Sequence, residues 1–152
     1  MIGILLKDSS YEQDIRELLM AFYPGESFAH EEKEDVSFYV TGEYESESGG
    51  EGYFCLRLVE EGKEKDSRRF AIRYGKRLEA KTAIKRELYG MLSKRTGKTL
   101  PWGTLTGIRP TKIVLTRLEQ GEPEESIRSF MEETYLTSRQ KVDLCVETAK
   151  RE

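Results

Sequence analysis

Apolar and polar positions change rhythm several times along this chain, and each change marks an element. Ile2–Leu6, IGILL, is a short unbroken apolar run and reads as a buried strand. Ser9 or Ser10 then caps a helix, with Glu12 or Gln13 placed to complete a capping box. Ile15, Leu18, Leu19 and Phe22 recur at helical spacing on one face, and Pro24-Gly25 closes the element. A short strand is expected within Ser27–Glu32. Strict alternation follows: Val36, Phe38 and Val40 share one face, while Ser37, Tyr39 and Thr41 take the other. After an acidic turn over Glu45–Gly52, Phe54, Leu56 and Leu58 give the core face of the next strand. A second charged turn is expected over Glu61–Ser67, and Phe70, Ile72 and Tyr74 then alternate with Ala71 and Arg73. Three successive strands with short connections predict an antiparallel meander.

The period then becomes helical. Ala80, Ile84, Leu88 and Met91 make an apolar stripe from Lys76 to about Arg95, and Arg77, Lys81 and Lys85 line another face at intervals of four. Like charges at that spacing repel, so this basic ridge needs a partner, either the acidic meander or an outside anion. After Gly121, Pro123 with Glu122, Glu124 and Glu125 starts a helix with Ile127, Phe130, Met131 and Tyr135 on its apolar face. Thr137 with Gln140 has the form of a capping box for a last helix, striped by Val142, Cys145, Val146 and Ala149. The expected fold class is α+β: a small, mostly antiparallel sheet, entered as β-α and continued as a meander, with packed helices and then a helical C-terminal segment. Residues 1–98 form the α+β domain, and residues 99–152 a loop plus helical segment. The ending AKRE supplies no stop signal, so this segment is expected to lead towards a further domain.

Composition narrows the function classes. Apolar residues make up 37% and charged residues 35%, which gives a modest core beneath a heavily charged surface. No apolar run reaches the length of a membrane span and Met1 opens no signal-peptide pattern, so a cytoplasmic protein without membrane partners is expected. Cys55 and Cys145 stand far apart without ligand-like neighbours and read as ordinary buried thiols. His30 is the sole histidine; flanked by Glu31 and Glu32, it reads as a solvated side chain, not a metal ligand or general base. No Ser–His–Asp set and no Walker or Rossmann glycine pattern appears. Neither a catalytic residue nor a metal site is assigned.

The net charge of −3 conceals a strong asymmetry. Residues 1–66 carry 6 basic and 17 acidic side chains, residues 67–117 carry 14 and 2, and residues 118–152 carry 5 and 9. A basic middle either binds an anionic partner or pairs with the acidic ends of its own chain. Tyr39, Tyr44, Tyr53, Phe54, Phe70 and Tyr74 lie on or beside strands, where aromatics can stack on single-stranded RNA. The acid-rich meander, with Glu43, Glu45, Glu47 and Glu51, opposes a phosphate backbone there. An RNA-binding or protein-interaction module using the basic 67–117 region is thus the alternative function, and nucleic acid the less favoured partner. The last two helices invite comparison with a helix–turn–helix, but Arg139 and Lys141 are opposed by Asp143, Glu147 and Glu152. An ordinary helix pair is expected.

Leu100–Ile113, LPWGTLTGIRPTKI, concentrates the candidate chemistry. It holds the sole tryptophan, two of the four prolines, two glycines, three threonines and two cations. Pro101 and Gly103 flank Trp102 in what reads as an irregular, packed loop, with Trp102 its structural anchor. Gly107 gives freedom before Ile108, and Pro110 restricts Arg109 to extended geometry while suiting the first position of a helix. Backbone N–H groups at that helix start, beside Thr106, Gly107, Arg109, Thr111 and Lys112, form the candidate anion or ligand site. A cation at a helix start is unfavourable by roughly a few tenths of a kcal/mol unless an anion compensates it.

PWGTLTGIRPTK, with the helix, glycine and Pro-Glu-Glu helix start that follow, resembles the oxygen-independent coproporphyrinogen III oxidase-like proteins, most closely the coproporphyrinogen dehydrogenase (HemZ) group. The likeness is strong over residues 100–152 and one of layout only before them. It implies that this chain is the amino-terminal accessory part of a radical SAM enzyme and is not itself catalytic. The parent would oxidatively decarboxylate coproporphyrinogen III to protoporphyrinogen IX, using a [4Fe–4S] cluster and S-adenosylmethionine. Neither cofactor is expected in this chain, which has no CxxxCxxC motif. The implied partners are the catalytic domain of the same polypeptide and a tetrapyrrole substrate. The resemblance offers two anions for the Arg109 region, the substrate's propionates and the carboxylate of S-adenosylmethionine; an internal Glu or Asp serves equally.

Overall fold

The IGILL run forms β1 (Ile2–Leu6), which lies second in a five-stranded sheet. It runs parallel to both its neighbours, the two-residue β2 (Phe28–Ala29) and β3 (Phe38–Ser46). Parallel neighbours need a crossover, and α1 (Glu12–Phe22) supplies the one between β1 and β2. From β3 the sheet continues antiparallel through β4 (Glu51–Glu60) and β5 (Lys63–Arg73), giving the order β2-β1-β3-β4-β5. The fold is α+β, and its mixed sheet carries its longer pairings in the antiparallel meander. The computed structural model describes residues 1–105 and 109–152. It divides them into two compact units, residues 1–96 and 97–152.

In the first unit the register places Ile2, Ile4, Val40, Leu56, Leu58 and Ile72 on one face, all buried. Ile15, Leu18, Leu19 and Phe22 of α1 are buried with them, as are Ala80, Ile84, Leu88 and Met91 of α2 (Arg77–Thr96). The stripes expected on both helices are therefore core. Edge-to-face aromatic contacts, Tyr11 with Phe54 and Phe22 with Tyr89, extend that core at its margins.

Three local expectations are corrected. The charged stretch Lys63–Ser67 belongs to β5; only Glu61 and Gly62, both at positive φ, make the turn. As the outer strand of the sheet, β5 keeps these polar groups in water, so they do not interrupt pairing. The cap at the start of the α1 region is Asp8, not Ser9 or Ser10: its carboxylate accepts from the Ser10 N–H at 2.9 Å. The basic ridge on α2 meets α1 and the turn before it, where the acidic meander or an outside anion was expected. Lys81 lies 3.1 Å from the buried Asp14 of α1, Arg77 donates to the Ser10 carbonyl at 2.7 Å, and Lys85 is buried. Burial pushes the Lys85 ammonium below its usual range, while the charges of Asp14 and Glu17 pull it back. Elsewhere in this unit Arg68 meets Glu87, Arg69 meets Glu45 and Arg95 meets Glu60.

Asp8 ties the ends of two connections together. It accepts from the hydroxyl of Ser10 at 2.6 Å and from that of Tyr74. Those bonds, led by Ser10, hold its carboxyl below the usual carboxylate range. A depressed folded pKa stabilises above the unfolded value, and the benefit disappears as pH falls through the folded one. Asp8→Asn is therefore expected to lower stability at neutral pH, by less than about 1 kcal/mol because the group is exposed. The gap from wild type should close in urea titrations taken below about pH 4.

The second unit packs three helices, α3 (Pro110–Glu119), α4 (Glu124–Tyr135) and α5 (Arg139–Lys150). Val114, Ile127, Met131, Val142, Cys145 and Val146 form its core, with Leu105 and Ala149 at the margin. The cap of α5 is Ser138, which accepts from the Lys141 N–H at 3.4 Å, where Thr137 was the expected residue. Thr137 is buried instead, beside the Trp102 carbonyl. Arg139 of α5 faces Glu125 of α4 at 3.1 Å.

Candidate ligand cleft

The loop that follows Gly97 is stitched to the α4–α5 connection through its backbone. Thr104 N–H donates to the Tyr135 carbonyl at 2.7 Å and Ser138 N–H to that of Pro101 at 2.9 Å. Gly103 sits at φ 59°, where a Cβ would run into the carbonyls of Tyr135 and Leu136. Trp102 is half-buried against the core, with the Lys141 ammonium 5.4 Å from its ring centre. The tryptophan thus anchors one side of a cleft.

That cleft holds about 520 Å³ and lies among Trp102, the first turns of α3 and the outer face of α5. Arg109, Pro110, Thr111, Lys112 and Leu115 line one wall, and Leu144, Cys145, Thr148 and Glu152 the other. Pro110 occupies the first turn of α3, and Arg109 precedes it in extended geometry, at φ −78° and ψ 108°. The Arg109 side chain does not cap the helix, and no acid occupies the first turn. Among the described residues no carboxylate pairs with Arg109 or Lys112. The two cations are exposed at the positive end of the helix, where the peptide dipoles add to their repulsion.

Of the candidate site residues, Arg109, Thr111 and Lys112 share this cleft, and Trp102 borders it. Thr106 and Gly107 lie outside the described residues. The Thr111 hydroxyl is engaged with the Cys145 thiol, which burial pushes above its usual range; the contact with Thr111 and the charge of Lys141 partly offset that rise. Leu115, Leu144, Thr148 and Glu152 were not anticipated. A signal existed: Leu144 stands off the Val142–Cys145–Val146–Ala149 stripe, and Leu144, Thr148 and Glu152 repeat at intervals of four.

His30 lies outside this cleft, half exposed, with Nδ1 2.8 Å from a carboxylate oxygen of Glu12. Among the described residues no three His, Cys, Asp or Glu side chains are grouped to hold a metal ion. Cys55 and Cys145 are both buried, one in each unit. An iron–sulfur cluster takes three or four thiolates, so this donor set does not fit one. No helix among the described residues is long and apolar enough to cross a membrane.

Over 74 residues the chain is 34% identical to the oxygen-independent coproporphyrinogen-III oxidase-like protein HemZ of Bacillus subtilis (strain 168). The chain is similar to a segment of that protein. The matched stretch amounts to 49% of this chain and 15% of HemZ. No family model and no solved structure matches the chain.

Proposed function

We propose that this chain is the amino-terminal accessory part of an oxygen-independent coproporphyrinogen III oxidase-like enzyme of porphyrin synthesis. The observation that carries the reading is the 34% identity to HemZ over 74 residues. The resemblance of PWGTLTGIRPTK to the same family supports it. In this reading the parent works in the cytoplasm and oxidatively decarboxylates coproporphyrinogen III. The [4Fe–4S] cluster and S-adenosylmethionine of its catalytic domain supply the radical chemistry. Among the described residues no ligand set for the cluster is grouped, and the part of this chain is support, substrate access or contact with the catalytic domain. Residues 100–152, which carry the resemblance, are expected to make more of that contact than residues 1–98.

The reading frame beyond codon 152 tests this cheaply. A continuous polypeptide containing CxxxCxxC is expected. A frame that runs on into an unrelated domain, or closes with no such motif encoded beside it, sinks the reading. Anaerobic reconstitution of residues 1–152 alone should leave no stoichiometric iron or sulfide on the protein.

A further inference from the structure

The cleft of the 97–152 unit has one feature that a supporting role leaves unused: an apolar floor ending at two unmatched cations. We propose that it binds a small amphipathic organic anion. The apolar body lies along Trp102, Leu115 and Leu144, and the acid group meets Arg109 and Lys112.

Three independent observations lead there. The volume, about 520 Å³, falls among those of small-molecule sites, which are mostly apolar with a few placed polar groups. Four other basic side chains of this unit pair with acids: Arg117 with Glu122 at 2.8 Å, Arg128 with Asp143 at 2.9 Å, Arg139 with Glu125 at 3.1 Å and Lys150 with Glu124 at 3.0 Å, and Lys141 lies over the Trp102 ring. Arg109 and Lys112 have no such match among the described residues, although both line the concavity. Their mutual repulsion and the helix dipole favour an anion from outside. Leu144, finally, is 53% exposed in a helix whose other cleft-facing neighbours are polar or buried. An apolar group in the cleft would cover it. Glu152 lines the same cleft and repels a second acid group, so the ligand carries its charge at the α3 end.

The site stands whether or not the chain serves a coproporphyrinogen oxidase, and its test is separate from turnover. The probe is 1-anilinonaphthalene-8-sulfonate titrated into folded residues 1–152. Uncharged N-phenyl-1-naphthylamine and inorganic phosphate are the comparators. One saturable sulfonate site is expected, with affinity falling as salt rises. Arg109→Gln together with Lys112→Gln should weaken the sulfonate about tenfold or more, roughly what one charge-assisted contact contributes. The same double variant should leave the uncharged dye nearly unchanged. Leu144→Gln should weaken both dyes, and phosphate alone should bind poorly. These side chains are exposed, so circular dichroism should show the variants folded. Amide NMR on the wild type supplies a second readout, with shifts at Lys112, Leu144 and Thr148 on adding the sulfonate. Unchanged sulfonate affinity in both folded variants overturns the proposal. So do equal losses of the two dyes on removing the cations, or shifts confined to other residues.

Discussion

Gly103→Ala is expected to cost the 97–152 unit about 3 kcal/mol or more, the combined scale of a strained backbone and an overpacked contact. Gly103 sits at φ 59°, a conformation unfavourable to any residue with a Cβ. The added methyl would also meet the backbone carbonyls of Tyr135 and Leu136. Those carbonyls cannot retreat freely, because Tyr135 accepts from the Thr104 N–H at 2.7 Å in the contact that closes the loop. Trp102, the next residue and the sole tryptophan, reports on this unit by fluorescence. Its urea midpoint should fall sharply in the variant. An unchanged midpoint would show that the loop is not held as described.

Leu88→Ala should have a comparable effect on the 1–96 unit. Leu88 is wholly buried in α2 beneath the sheet. Truncating such a leucine removes its transfer free energy and leaves a cavity, together about 2–5 kcal/mol. Leu78, on the first turn of the same helix, is 72% exposed. Its alanine variant should stay within about 0.5 kcal/mol of wild type. Thermal and urea unfolding followed by circular dichroism should separate the two variants clearly. Equal losses would contradict the burial pattern of α2.

The elements that proved legible in the sequence are those where burial imposes a period. Ile15, Leu18, Leu19 and Phe22 could face the core only as a helix, and Phe54, Leu56 and Leu58 only as a strand. Parallel pairing of β1 with β3 was not legible, because an apolar run such as IGILL fits either strand direction. The extent of the hairpin between β4 and β5 was not legible, because charge marks a turn and an outer strand alike, and an outer strand can carry charge along its length. The basic ridge misled for a related reason. Repulsion at intervals of four showed that Arg77, Lys81 and Lys85 needed partners, but sequence alone could not show that α1 and the turn before it receive Lys81 and Arg77. The start of α3 was legible from Pro110, whose fixed φ suits a first helical turn. The apolar half of the cleft was not, since Leu144 is one residue outside an otherwise regular stripe.

Anaerobic turnover of coproporphyrinogen III decides between an accessory role for this chain and none. The comparison is between the longer polypeptide proposed to carry the chain and two versions of it, one lacking residues 1–98 and the other residues 1–152. Removing 1–152 should severely impair turnover or solubility, and removing 1–98 should do less harm, because residues 100–152 are proposed to meet the catalytic domain. Turnover and stability equal to the full polypeptide in both truncated forms would contradict the accessory role.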